Sequence, residues 1–446
     1  MNVSPVISRP CTDSATTRGR RSRTLMKIAV AATAGVLLAA CGTGAPSTQT
    51  PSTRTSSTAT SPGPSALLTA NPTTSTPSSG ASPAVVRQAA GTYTRAQIPW
   101  GQVGSAWTGV VLVPIATSTK TDPGATAGTL YLVSPEGARY AIGNTAPGDY
   151  ITDVTPDGRR ILITRYDSRT HVAVTQVWDA QTGVARTVAT GMEYGHFSRP
   201  QGTAVIGKVV GADGVAHLQR YGLDGRLQLT YSMSGVPIFV VRPPDGQSLV
   251  VETTTGVTVL SNVTGTPLRT IPTPSGASSC RPVSMWTSTQ LLVSCDGTES
   301  GGSSSDLYTV PVAGGPITRM PQAEVQNADG RSGFGFVGAW PSSVGVILQR
   351  GTGCGNGGYA LVRTDGRVTA LTFPEKSTSV GGPVVLGIVG ATALLSVSNG
   401  GSTCGGGQFV SLVAHDLVTG ASRPLAGPMA GTGALHGQPV VLGAAA

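Results

Sequence analysis

The feature that most constrains this chain is a turn that recurs at the spacing of one supersecondary unit. Three turn triplets each precede a short apolar run: Pro156-Asp157-Gly158 before Ile161-Leu162-Ile163, Pro200-Gln201-Gly202 before Ala204-Val205-Ile206, and Pro244-Asp245-Gly246 before Leu249-Val250-Val251. Their prolines lie 44 residues apart both times. Pro fixes φ and Gly adopts conformations that other residues resist, so each triplet has a mechanical reason to turn. A second turn occurs seven times, at Ser134-Pro135-Glu136-Gly137, Asp179-Ala180-Gln181-Thr182-Gly183, Leu223-Asp224-Gly225, Ser261-Asn262-Val263-Thr264-Gly265, Val312-Ala313-Gly314-Gly315, Thr364-Asp365-Gly366 and Asp416-Leu417-Val418-Thr419-Gly420. Its glycines fall 40 to 54 residues apart. Each turn separates two short β-prone runs, as a hairpin does.

A period of about 40–50 residues carrying four short strands describes a propeller blade. The units read as 100–143, 150–190, 193–230, 235–271, 279–320, 330–373 and 380–426. The expected fold is therefore all-β, a seven-bladed β-propeller over residues 96–446, with Gln438-Pro439-Val440-Val441-Leu442 closing the ring beside the first blade. A pair of β-sandwiches is the alternative, and the even spacing argues against it. With 61 glycines and 11% charged residues, the composition suits many short strands and turns rather than long helices. Trp178-Asp179 followed by Thr182-Gly183 resembles the turn of the tryptophan–aspartate-repeat propellers. The set of units is similar to the TolB-type propellers. Trp286 and Trp340 stand at corresponding points of two units, where packing between blades is expected.

Ahead of the repeats, residues 1–40 read as an export signal. Arg18 to Lys27 form a basic segment, and Ile28 to Ala40 is an apolar run of 13 residues. That is too short to cross a bilayer, which needs roughly 20, but it suits a signal peptide. Met26 is an alternative start, and Arg20-Arg21 hints at twin-arginine export. Leu38-Ala39-Ala40-Cys41 resembles the bacterial lipobox, and the Ala-, Gly- and Arg-rich usage resembles that of actinobacterial proteins. The resemblance implies cleavage before Cys41, lipidation (palmitate included) of that residue, and retention on the extracytoplasmic side of the cell membrane. An ordinary signal peptide with an incidental Cys is the other reading. Residues 41–95 are dominated by Ser, Thr, Pro, Ala and Gly and contain no Asp or Glu. Such a stretch buries too little apolar surface to offset ordering entropy, so it is expected to be a disordered tether. Its Ser/Thr density also admits O-glycosylation.

The net charge of +9 does not make this a nucleic-acid binder. Residues 1–41 carry +5 and residues 42–95 carry +3, which leaves +1 for everything after them. Phosphate recognition needs cations clustered on the folded domain.

Four further cysteines fall in the repeats. Cys280 starts one strand and Cys295 ends the next, so a Cys280–Cys295 bridge across a hairpin is expected. Cys354 and Cys404 lie 50 residues apart at matching points of adjacent units, so Cys354–Cys404 is expected too. Four cysteines allow three pairings, and free thiols or zinc ligation remain open; no close Cys pair of zinc spacing occurs.

No catalytic motif, cofactor or metal site is read. The chain shows neither G-x-S-x-G nor H-E-x-x-H, and Gly353-x-Gly355-x-x-Gly358 leads into a strand rather than the helix that a dinucleotide site needs. Asp296, Glu299 and Asp306 around a Gly/Ser loop match a Ca²⁺ site poorly. The inter-strand loops are long on one expected face (116–127, 296–305, 320–333, 350–358, 398–407) and short on the other. Long loops on a rigid scaffold carry recognition, so Tyr194, His196, Asp296, Glu299 and Arg350 are the candidate binding residues. The expected role is a monomeric module that binds an envelope protein or small ligand. A propeller hydrolase of the envelope, lactonase-like or sugar-active, is the alternative, and a wall-associated structural protein is a third.

Overall fold

The computed structural model describes residues 89–442, apart from 115–125, 168–171, 211–214, 234–239, 254–255, 298–304, 321–335, 353–354, 364–366, 374–382 and 400–408. The expected signal and nearly all of the expected tether lie outside the described residues. No described helix is long and apolar enough to cross a membrane.

The strands form seven sheets in chain order, antiparallel except where β1 joins the first. The first contains β1 (Gly91–Thr94), β2 (Thr108–Val113), β3 (Gly128–Val133) and β4 (Ala138–Thr145). Blade 2 is β5 (Asp149–Val154), β6 (Arg160–Asp167), β7 (Val172–Asp179) and β8 (Ala185–Thr190). Blade 3 is β9 (Met192–Phe197), β10 (Ala204–Val210), β11 (Ala216–Gly222) and β12 (Leu227–Thr230). Blade 4 is β13 (Val240–Val241), β14 (Ser248–Thr253), β15 (Gly256–Ser261) and β16 (Pro267–Ile271). Blade 5 is β17 (Ala277–Met285), β18 (Gln290–Gly297), β19 (Ser305–Pro311) and β20 (Thr318–Arg319). Blade 6 is β21 (Phe336–Ser342), β22 (Gly345–Thr352), β23 (Gly355–Val362) and β24 (Val368–Leu371). Blade 7 is β25 (Val384–Val389), β26 (Thr392–Asn399), β27 (Phe409–Asp416) and β28 (Ser422–Ala426), and β29 (Ala434–Val441) follows it.

β29 pairs antiparallel with β2 and becomes the innermost strand of blade 1, as the C-terminal segment was expected to. β1 adds a fifth, outermost strand, parallel to β4. Residues 91–94, placed at the end of the tether by composition, are therefore part of the propeller. Tyr93 explains the difference, because its ring stacks on Tyr140 of β4.

Seven apolar clusters fill the seven seams. Leu162 with Phe197 and Val205 joins blades 2 and 3, Leu218 with Leu249 and Leu260 joins blades 3 and 4, and Leu394 and Leu412 with Val110 and Leu435 join blade 7 to blade 1. The remaining seams are filled in the same way. Every blade is thus apolar on both faces, as a ring requires. Trp340 is buried in the seam of blades 6 and 7, and Trp286 packs in that of blades 5 and 6. First strands touch first strands around the ring (β29 with β5, β5 with β9, β13 with β17, β17 with β21, β21 with β25, β25 with β29), so they lie innermost.

The repeated turns also join the blades. Gly202 has φ +67°, and a Cβ there would stand 2.4 Å from Thr155 Cγ2 of blade 2. Gly246 has φ +68°, and its Cβ would stand 1.9 Å from the Arg199 carbonyl oxygen of blade 3. Glycine therefore serves both a left-handed backbone and a close approach between blades. Arginines satisfy turn carbonyls of the next blade: Arg160 Nη1 donates to the Gly202 carbonyl at 3.3 Å, and Arg220 Nη1 to that of Asn262 at 2.9 Å. Arg269 and Arg423 do the same for Pro311 and Pro135.

Candidate functional site

Two clusters share the inner wall across blades 2, 3 and 4. Each exists because a β-bulge redirects a side chain. In β5, Ile151 pairs with Ile163 and Asp153 with Leu162, so Thr152 is an extra residue. Strict alternation would put Asp153 on the side of Ile151, toward blade 1; the bulge turns it to the side of Leu162, toward blade 3. In β9, His196 pairs with Ile206 and Glu193 with Lys208, which leaves Tyr194 and Gly195 opposite Gly207 alone. Tyr194 accordingly has φ +52°, an uncommon region for a bulky residue.

The first cluster lies toward the ends of the long connections. Tyr166 follows Leu162 and Thr164 on the side of β6 that faces blade 3, and Tyr150 pairs with Thr164 and joins that side. Burial pushes the Tyr150 hydroxyl up to about 12, with Tyr194, Glu193 and Tyr166 adding to the rise, so these four groups are neighbours. Tyr166 and Tyr194 keep 44% and 41% of their surface exposed. Val210 and Val215, at the same end of blade 3, are also exposed. The rim is polar: Lys208 Nζ meets Glu193 Oε2 at 2.8 Å, and Arg165 grips Asp149 through Nε at 2.7 Å and Nη2 at 3.2 Å. Apolar rings within a charged border suit recognition of another surface.

The second cluster sits at the ends of the same inner strands nearest the short turns. Asp153 is fully buried. Its Oδ2 accepts from Arg242 Nη1 at 2.6 Å and from the Phe197 N–H at 2.9 Å, and its Oδ1 accepts from the Val154 N–H at 2.8 Å. Arg199 Nη2 stands 3.5 Å from Oδ1, and His196 Nδ1 stands 3.8 Å from Oδ2. Arg242 Nη1 also donates to the Phe197 carbonyl at 2.8 Å. Burial pushes the Asp153 carboxyl up, but Arg242, Arg199 and His196 outweigh it and hold the carboxyl well below its usual range. Burial, followed by Arg242, pushes the His196 imidazole down. Burial likewise pushes Arg242 down to about 10 against the pull of Asp153. The convergence of a carboxylate and a histidine at the inner wall is what a propeller hydrolase would need. Here, however, the carboxylate is a counter-ion with its oxygens occupied by donors.

The expected binding residues separate. Tyr194 joins the tyrosine cluster. His196, expected with it on the long-loop face, is instead 5% exposed and belongs with Asp153 at the short-turn end, because β9 continues toward its hairpin after the bulge. Asp296 ends β18 in blade 5, half-buried, accepting from Ser279 Oγ at 3.3 Å, apart from the tyrosines. Arg350 is paired opposite Phe336 in blade 6, and its side chain lies outside the described residues, as does Glu299. The Cys280–Cys295 disulfide is present across the β17–β18 pair, with an S–S distance of 2.07 Å. Cys354 and Cys404 lie outside the described residues. Asp306 is paired with Arg319 at 2.8 Å, and among the described residues no group of three or more potential metal ligands occurs.

Tyr150, Tyr166, Asp153, Arg199 and Arg242 were not singled out from the sequence. Asp153, Arg199 and Arg242 stand three, one and two residues before Pro156, Pro200 and Pro244 in successive repeats, and these unequal offsets give no common signal.

No family model matches the chain, and no curated protein sequence does. Among solved structures, it is similar to the propeller domain of the Trilobed protease from Pyrococcus furiosus, with a TM-score of 0.48 and 12% identity over 72% of this chain and 95% of that one. TolB from Acinetobacter baumannii gives 0.39 and 13% over 76% of this chain and 66% of that one. A prolyl endopeptidase gives 0.47 and 13% over 74% of this chain, which spans 52% of the enzyme's length. The seven sheets in a ring make this a seven-bladed β-propeller, and TolB and peptidase propellers are among its structural neighbours.

Proposed function

We propose that this protein is a lipid-anchored, extracytoplasmic lipoprotein whose propeller docks a partner protein of the cell envelope on the tyrosine cluster of blades 2 and 3. The observation that carries the reading is the exposure of Tyr166 and Tyr194 beside Val210 and Val215 within a border of ion pairs. Aromatic side chains with a polar tip are the commonest anchors of protein interfaces. The left-handed backbone of Tyr194 supports the reading, since strain of this kind persists where function uses it. The lipid anchor rests on the sequence Leu38-Ala39-Ala40-Cys41 and on the acidic-free segment that follows.

The test is crosslinking in cells followed by affinity capture and mass spectrometry. One recurrent partner is expected, lost in Tyr166→Ser/Tyr194→Ser and kept when loop 350–358 is altered. Recovery of the same partner from the double variant would remove the tyrosine cluster from the reading. Tyr194→Gly separates binding from folding. It should raise stability by up to about 1 kcal/mol, because glycine adopts the left-handed region freely, while still losing the partner. Cys41→Ala should release the protein from membranes, and unchanged retention would count against the anchor.

A further inference from the structure

Among the described residues, the cluster around Asp153 holds more positive than negative charge. Two guanidiniums, Arg199 and Arg242, share one carboxylate. Asp153 is the acidic group that pulls on both His196 and Arg242. The side chains of Arg242 and His196 are 5% and 7% exposed, so water does little to offset the excess. A buried charge without its counter-charge is costly. Arg242 is engaged, donating through Nη1 to Asp153 and to the Phe197 carbonyl. Arg199 is held loosely, by one 3.5 Å contact from Nη2. Its Nη1 is buried with no hydrogen-bond partner among the described residues. The Arg199 side chain is 16% exposed, more than the other members of the cluster.

We propose that the Arg199–Arg242–His196 corner, at the short-turn end of the inner wall, is a binding site for a small oxyanion, a phosphate or carboxylate group. Arg199 Nη1 donates to it, and the excess charge of the arginine pair attracts it. A planar guanidinium fork suits both groups, which a lysine would meet only as a point charge. Asp153 is the built-in counter-ion that orients Arg242. The bulge at Thr152 is what brings that carboxylate to the seam. The site is separate from the tyrosine cluster, so either can fail without the other.

The test is isothermal titration of the folded propeller with inorganic phosphate and, separately, with acetate, at fixed ionic strength. Saturable one-to-one binding of at least one anion is expected, and the tighter of the two identifies the group recognised. Arg199→Gln should weaken it tenfold or more and Arg199→Lys by less, with circular dichroism confirming that both remain folded. Arg186→Gln, exposed on the outer strand β8 of blade 2, should leave it unchanged. Two results would overturn the proposal: no saturable binding of either anion by the unmodified protein, or equal affinity in Arg199→Gln. The first needs no variant, so a poorly folding substitution cannot shield the idea.

Discussion

Single residues carry much of the contact between blades. Gly246 is the sharpest case, since its φ of +68° and its approach to the Arg199 carbonyl both exclude a side chain. Gly246→Ala should cost about 2–4 kcal/mol, from left-handed strain plus overpacking, measured as a drop in urea midpoint. Asp153→Asn should cost about 3–5 kcal/mol, because it leaves Arg242 buried without its counter-charge. The same cluster sets a pH dependence. His196 has a folded-state pKa below its ordinary 6.5, so the unfolded chain takes up the proton first. Its contribution is full above 6.5 and is lost as pH falls through that value toward the folded pKa. Asp153, also depressed, contributes above its ordinary 3.8 and loses that contribution at lower pH still. Stability should therefore fall in two acid steps, and His196→Gln should remove the first. A single step in the unmodified protein would mean that His196 is not held neutral.

At the scale of elements, hairpins and their turns were legible in the sequence because their chemistry is local. Asp179 Oδ1 accepts from the N–H groups of Gln181 and Thr182 at 2.9 and 2.8 Å, and Asp416 Oδ1 from those of Val418 and Thr419 at the same distances. Each turn thus closes on its own residues, and its signature survives in five letters. The Cys280–Cys295 bridge follows from the same locality, as the two residues are direct partners across one strand pair. Breaking it by Cys280→Ser/Cys295→Ser should cost about 3 kcal/mol, the value for a loop of about 15 residues, read as a lower melting temperature. Bulges were not legible. Thr152 and the Tyr194-Gly195 step carry no residue preference strong enough to announce an extra residue, and period-two reading fails at each of them. The tyrosine cluster and the Asp153 cluster both depend on those two shifts, which is why the sequence pointed to Tyr194 and His196 as one group and the structure divides them.

For the molecule as a whole, closure decides integrity. β29 supplies the inner strand of blade 1 and, with blade 7, fills the seam containing Leu435 and Val441. A chain ending before Ala434 should lose cooperative unfolding and expose apolar surface at that seam, detected as dye binding at neutral pH. Retention of a single sharp transition would show that the ring closes without its last strand.

The sequence by itself determined the number of blades, the all-β class, the chain segment that closes the ring and one disulfide. The blade number, the class and the disulfide rest on contacts between residues near in sequence or on a period that repeats, and the closing segment is the β-prone run left over after the seventh unit. The tertiary structure alone decided which side chains meet on the inner wall. Asp153, Arg199 and Arg242 come from three successive blades, 46 and 43 residues apart, and no local propensity records that they share a site. Their meeting depends on strand register, and a shift of one residue in one strand reverses which seam a side chain enters.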